Sequence, residues 1–462
     1  MPSTTLTIAE SLAQFATAQD YGAIPAPIRE KARMHLLDSV GVALASSGFE
    51  FAHRAYEGSS RFGGGEHQVI GMPGRLALRD AVCMNGILTH GIEYDDTSIL
   101  GRIHPSAFCA PAALGAGAFA RASGKAMLAA YIVGVECAIR IGAAAKGGFS
   151  PAGFNATGVV GGFGAAMTAG KLLGLDAGQL ANAQGIVYSA AAGNREFVAT
   201  DGWTKRLDPA WAAVSGLTAA SLAQAGYLGS PTPYEGRYGL YRVYLEHEVT
   251  AQDIELVSAG LGDEWHFGAL SLKALPSCYF NHPLINATIA IMQRHDLVAG
   301  SIRSICVYLP RAAIDTVCEP SGAKYAPTDL AGALFSAYYN VASAAVRRRH
   351  TLDELQPEAL TDPEVLALAR KVSYAIDAES TFPRHYSGAV EIVTMDGRTY
   401  SDREDVNKGS SEQPMSQAEV EAKFMDNACR VIPRARAQAM MDAILDIERV
   451  GDVSELPLAA DS

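Results

Sequence analysis

Positive charge is the first thing this chain is short of. Its 462 residues carry 37 Lys and Arg against 49 Asp and Glu, a formal net charge of −12. Nucleic acid and anionic membrane surfaces are held by an excess of Lys and Arg, so neither is an expected partner. An anionic ligand would need a local cationic pocket working against the overall field. Cysteine is sparse and unorganised: seven residues, an odd number, with no C-x-x-C and no His/Cys pairs at zinc spacing. That excludes a disulfide framework and a zinc-finger site, and fits a reduced, cytoplasmic compartment. The first twenty residues include Glu10 and Asp20 and lack the basic start and apolar run of a signal peptide. Phosphate-binding and nucleophile-elbow motifs are also missing, with no G-x-x-x-x-G-K-[ST], no glycine fingerprint after a strand and no G-x-S-x-G. There is no internal repeat and no low-complexity segment.

What is present is a globular composition, 49% apolar and 19% charged. The length exceeds what one core usually supports, about 250–300 residues, so two domains are expected. From Ile8 to about Gly262 the texture is helical, rich in Ala, Gly and Leu. Ile28–Ser46, Asp80–Gly91 and Ala110–Ala122 repeat apolar residues at helical spacing. Gly161–Leu175 reads as a tightly packed helix ending at Gly174, and the next helix, near Ala177–Ala191, begins after the N-cap Asp176. Ala126–Ala145 is apolar enough to be tested as a membrane span, but Glu136 and Arg140 share one helix face at i and i+4, which suits a buried core helix. After Ser271 strand formers appear: Ser301–Leu309, Val372–Tyr374, and Ala389–Thr394 followed by Asp396-Gly397 and Thr399 as a hairpin. Leu330–Arg348 between them looks helical. Ser416 and Glu419 form a capping box for a helix that returns to the first domain. The tail after Gly451 reads as loose. The expected architecture is mostly α with a smaller α+β unit: residues 1–270 with 411–462, and residues 271–410.

Four clusters can carry chemistry. His90, Glu93, Asp95, Asp96, Thr97 and His104 lie within about twenty residues. Acid–base catalysis needs groups that titrate near working pH, and His is the usual one. The bland alternative is a polar loop between helices. The second cluster, Gly153-Phe154-Asn155-Ala156-Thr157-Gly158, either packs a helix closely or offers backbone amides to a carboxylate. In the third, Asp201 to Pro209, Lys205 and Arg206 are either solvated or a carboxylate clamp. The fourth, Lys273 to Cys278 with His282, sits where helical texture gives way to strands; Cys278 has no sequence neighbour that activates it, and a free Cys is most often core.

In order and spacing these segments resemble the MmgE/PrpD family. The similarity is carried by Leu36-Leu37-Asp38-Ser39-Val40-Gly41, by Asn85-Gly86 through Asp95-Asp96-Thr97 and His104-Pro105-Ser106, and by Lys171-Leu172-Leu173-Gly174-Leu175. It continues through Lys205-Arg206-Leu207, Tyr234-Glu235-Gly236, Lys273 with Pro276, Cys278 and His282, and Glu419 to Phe424. The family includes 2-methylcitrate dehydratase, cis-aconitate decarboxylase and iminodisuccinate epimerase. The resemblance implies a large helical domain plus an α+β lid with the active site between them, a homodimer, no metal or cofactor, and a small di- or tricarboxylate substrate. It places Asp95, Thr97, His104, Lys205, Lys273 and His282 at family site positions, and Tyr325 at a site tyrosine. Two positions depart from the pattern: the family usually has His where this chain has Asn155 and Asp208. Asn cannot titrate near neutral pH. The expected activity is a dehydratase-type lyase in which His104 moves the proton, Asp95 orients it, and Lys205, Arg206 and Lys273 hold carboxylates. Thr97 and Asn155 would bind substrate oxygens. Epimerisation, decarboxylation and a purely ligand-binding member are the alternatives.

Overall fold

The computed structural model describes residues 6–200, 202–247 and 249–460; Asp201, which opens the third cluster, lies outside them. The chain divides into two compact units. One comprises Met1–Gly91, Asp95–Ser271 and Ser416–Ser462; the other comprises Ile92–Tyr94 and Leu272–Met415.

The first unit is helical. Its principal helices are α1 (Ile8–Ala18), α2 (Ala26–Ser47), α3 (Glu50–Ser60), α4 (Leu78–Thr89), α5 (Ser106–Phe119), α6 (Gly124–Ala144), α7 (Ala156–Leu172), α8 (Ala177–Tyr188) and α9 (Leu207–Gln224). The short pair β1 (Gly64–Gln68) and β2 (Arg75–Leu76) runs antiparallel between α3 and α4. Helices α4, α5, α7 and α9 pack mutually, and small residues set how closely. A Cβ on Gly86 of α4 would sit 2.6 Å from the Ala210 Cα, and one on Gly216 of α9 would sit 2.5 Å from the Ala166 nitrogen. These helices therefore cross at backbone distance, and larger side chains would push them apart. Helix α7 ends as expected at Gly174, whose φ of +76° needs no Cβ. Asp176 caps α8 in a reciprocal box with Gln179.

α6 is the one helix among the described residues long and apolar enough to cross a membrane, and 89% of its apolar window is buried within the protein. Its charges are internal: Arg140 Nε donates to Glu136 Oε1 at 2.7 Å. Glu136 also accepts from the amides of His266 and Phe267, at 3.1 and 2.8 Å. The guanidinium donates to the carbonyls of Ala259 and Glu264 as well. The pair is a girder between α6 and the 259–267 loop.

The helix Gln417–Ala428 returns to α2, as the sequence suggested. Lys423 Nζ lies 2.7 Å from Asp38 Oδ1, both side chains buried, and Phe424 packs on Gly41. The tail differs from its expectation. Leu456 and Leu458 are buried, and Gln68 fastens the segment by accepting from the amides of Leu458 and Ala459 while donating to the Leu456 carbonyl. Two leucines in a polar stretch were the signal of a docked tail.

The second unit holds a four-stranded mixed sheet in the order β4-β3-β5-β6, with β3 at Ile302–Leu309, β4 at Val372–Ile376, β5 at Gly388–Thr394 and β6 at Thr399–Glu404. β3 and β4 are parallel, Ile305 opposite Val372; β3 and β5 are antiparallel, Cys306 opposite Glu391. The hairpin β5–β6 turns at Gly397. Val390 and Ile392 alternate inward, and the helices His282–Arg294 and Ala337–Arg347 pack in this unit with the strands. The helix expected over 330–348 is broken in two, Leu330–Leu334 and Ala337–Arg347, because Ser336 leaves the helix to accept from the Tyr339 amide and to bond the Lys324 carbonyl.

Replacing Glu136 by Ala leaves the Arg140 charge buried without its carboxylate. The unfolding free energy should fall by ~3–5 kcal/mol, measured by urea denaturation. A loss below ~1 kcal/mol would show that the carbonyls alone hold Arg140.

Candidate active site

The site is built around the loop that follows α4. His90 closes that helix, and Glu93 turns the chain with a φ of +53°. The loop is then clamped by Asp96, whose side chain is buried. Its Oδ2 lies 2.8 Å from His35 Nδ1 on α2, and its Oδ1 accepts from the Ser106 amide at 3.1 Å. Ser106 Oγ also bonds Oδ2 and meets the Tyr131 hydroxyl of α6. With its side chain fixed, Asp96 presents its main-chain carbonyl 2.8 Å from His104 Nδ1. A carbonyl only accepts, so Nδ1 bears the proton and the lone pair of the neutral ring is on Nε2. Thr97 Oγ1 and Asp95 Oδ2 stand 3.3 and 3.5 Å from that same Nδ1. His104 is partly accessible, its side chain 19% exposed, whereas Asp95 is sealed.

Asp95 is shared. Its Oδ2 accepts from His90 Nδ1 at 2.7 Å, and the rings of His90 and His104 lie 4.9 Å apart. Burial pushes the His90 imidazole down to about 3, with the charge of Lys205 acting in the same direction and Asp95 opposing it. His90 is therefore neutral at ordinary pH, and its Nε2 is buried with no hydrogen-bond partner. Ligand atoms of His90, Asp95 and His104 lie within 4.8 Å of one another, the closest approach to a metal-binding set among the described residues.

Three helices begin at this place. α5 starts two residues after His104, α7 starts directly after Asn155, and α9 starts two residues after Lys205. Hydrogen bonds tie the three starts together. The His104 amide donates to Thr157 Oγ1 at 3.3 Å, Asn155 Oδ1 accepts from the Thr157 amide at 3.3 Å, and Asn155 Nδ2 donates to Asp208 Oδ2 at 2.8 Å. Each start carries the positive end of a helix dipole, and two of the first amides are already bonded, Ser106 to Asp96 and Thr157 to Asn155. The two positions that depart from the family pattern are thus partners of each other. Burial pushes the Asp208 carboxyl up to about 6, while Asn155, Lys205 and the Asn194 backbone draw it down.

So the helical unit brings together Asp95, Thr97, His104, Asn155 and Lys205. Arg206 has protein partners. It is buried, its Nε donates to the Gly91 carbonyl at 2.7 Å and its guanidinium stacks over Phe51, so it anchors the turn after α4. In the second unit, Lys273 is buried and its ammonium is 3.1 Å from Glu93, which gives its charge a protein counter-ion. His282 is buried at the start of its helix, Nε2 bonded to the Ser277 carbonyl and its ring edge-on to Tyr279. Tyr325 packs on Tyr338, ring centroids 4.2 Å apart. Cys278 is buried. Sequence reasoning did not assign His90, Asp96 or His35. For His90 the signal was a second imidazole in the same loop; for His35, deep in an apolar helix, there was none.

The model of the MmgE/PrpD N-terminal domain matches residues 10–252, and that of the MmgE/PrpD C-terminal domain matches residues 275–447. The chain belongs to the MmgE/PrpD family, whose mostly helical fold with a small C-terminal mixed sheet it shares. It is similar to the cis-aconitate decarboxylase-like protein oryM of Aspergillus oryzae, 28% identical over 459 residues, covering 94% of this chain and 93% of that one. The cis-aconitate decarboxylase of Aspergillus terreus is 26% identical over 453 residues (94% and 91%), and that of Homo sapiens is 26% identical over 463 residues (97% and 93%).

His90 gives a pH signature. Unfolded, its imidazole takes a proton near 6.5; folded, it resists until about 3. Its contribution is intact above 6.5 and is lost as pH falls toward 3. Between pH 7.5 and 5.5 the wild type should lose ~1 kcal/mol more stability than His90→Gln, read from urea midpoints. Identical pH dependence in the two proteins would show that His90 protonates freely in the fold.

Proposed function

We propose that this protein is a lyase of the dehydratase type, acting on a small hydroxy-polycarboxylate by removing a proton from a carbon next to a carboxylate. The observation that carries this is His104, held by a carbonyl that fixes its proton on Nδ1 and so puts the basic lone pair on Nε2. Removing such a proton moves negative charge onto the neighbouring carboxylate. Groups that meet that charge stabilise the transition state more than the ground state. Lys205 and the starts of α5, α7 and α9 supply that positive field. Asp95 stands 3.5 Å from the proton-bearing nitrogen of His104 and favours the imidazolium formed when the base takes the proton. Thr97 Oγ1 is placed to bond a substrate oxygen. Once the proton is gone, the electron pair forms the double bond and the hydroxyl leaves the adjacent carbon.

A second reading, decarboxylation, is favoured by the relatives, which are cis-aconitate decarboxylases matched over nearly their whole length. The same field would stabilise the charge left when carbon dioxide departs.

Proton NMR in D2O with 2-methylcitrate, citrate, cis-aconitate and iminodisuccinate separates the readings. An alkene from a hydroxy acid supports dehydration, and carbon dioxide loss from cis-aconitate supports the second reading. Deuterium exchange alone points to epimerisation. His104→Gln should lower turnover at least ~100-fold and leave substrate binding within several-fold. Unchanged turnover would remove His104 from the mechanism.

A further inference from the structure

Elimination of water needs two proton carriers. One takes the proton from carbon; the other gives a proton to the hydroxyl, since hydroxide is a poor leaving group. The cluster at His104 supplies the first. A second titratable group belongs to the same frame: Asp208, in the first turn of α9.

Asp208 is held from two sides. Asn155, the cap of α7, donates to its Oδ2, and the Asn194 backbone bonds it from the segment after α8. Asn155 is in turn fixed by the Thr157 amide, and Thr157 Oγ1 by the His104 amide, so one chain of bonds sets His104 and Asp208 in a common geometry. An amide donor on Oδ2 is compatible with either protonation state, because an acid proton resides on the other oxygen. The carboxyl is half-buried rather than sealed, so it can exchange protons with solvent. Lys205 is the charged side chain that acts on it, three residues before it, and Lys205 acts on His90 as well, so the two proton-carrying clusters share one cation.

We propose that Asp208 is the general acid of the reaction, the residue that protonates the departing hydroxyl. The inference rests on the dehydratase reading above and adds a role to it. In the step, His104 Nε2 takes the proton from the carbon beside the carboxylate, and the C–H electron pair becomes the π bond. The C–O bond breaks with its pair on oxygen, and the Asp208 proton joins that oxygen to make water. Solvent then carries the proton from His104 back to Asp208. Burial brings the carboxyl near 6, within reach of both states at working pH, which Brønsted behaviour favours for an acid catalyst.

The test compares leaving groups. Take the hydroxy acid of the panel that the wild type dehydrates, and its counterpart with chloride in place of hydroxyl. Chloride leaves without protonation. Asp208→Asn, which keeps the shape and a partner for Asn155, should lower kcat on the hydroxy acid by ~10²–10⁴-fold while eliminating chloride within several-fold of the wild type. Asp208→Glu should restore part of the loss on the hydroxy acid. The wild-type kcat/KM on the hydroxy acid should fall as pH rises above about 6, where the acid form disappears, and this limb should be absent with chloride. Equal losses on both substrates would make Asp208 a merely structural residue, and no loss on the hydroxy acid would make it a bystander; either overturns the proposal and leaves the dehydratase reading standing. If the wild type forms an alkene from none of the hydroxy acids, that reading falls and the proposal with it.

Discussion

The hydrogen bonds of one buried carboxyl, Asp96, organise the rest of the site. Three groups from three elements close on its side chain: His35 of α2, the amide and hydroxyl of Ser106 at the start of α5, and through Ser106 the hydroxyl of Tyr131 on α6. A carboxyl so engaged has no rotational freedom left, and its own main chain is fixed with it. The consequence reaches the chemistry through the Asp96 carbonyl, which selects the tautomer of His104. A buried polar network of this kind is stabilising only when its members are satisfied together, so the loop has one arrangement.

A chain with a net charge of −12 is a poor host for a polyanion unless it concentrates positive potential locally. Here two of the cations that the sequence singles out have protein partners. Arg206 is consumed by the Gly91 carbonyl and Phe51, and Lys273 has Glu93 as counter-ion. Three helices also start in one place, and each start carries the positive end of a dipole instead of a full charge. Such dipoles need no counter-ion and do not titrate.

The helices were legible because their causes are local. Asp176 with Gln179 and Ser416 with Glu419 announce helix starts in the sequence, and Gly174 announces a stop. The hairpin at Gly397 was legible for the same reason. The break at Ser336 was not, since it depends on a carbonyl twelve residues earlier in an unrelated segment. In the site, the cluster from His90 to His104 stood out by density alone. That Asn155 and Asp208 touch, across 53 positions of chain, is a fact of tertiary packing that no local pattern carries. The partners of Arg206 and Lys273 were out of reach for a related reason: sequence shows that a cation exists, not which protein groups lie against it.

The placement of the reactive groups at helix starts has a consequence for how such a protein diversifies. Behind Asn155 and Asp208 lie the glycine- and alanine-rich helices α7 and α9, whose close contact is made by residues deeper in, such as Gly216 against Ala166. Asn155 caps α7 and Asp208 lies in the first turn of α9, both at the ends of that framework. Exchanging the residue at either place changes the titratable groups at the helix starts while the deeper contacts keep their spacing. Evolution can revise the reaction at the rim of this bundle one residue at a time, without first having to rebuild the bundle.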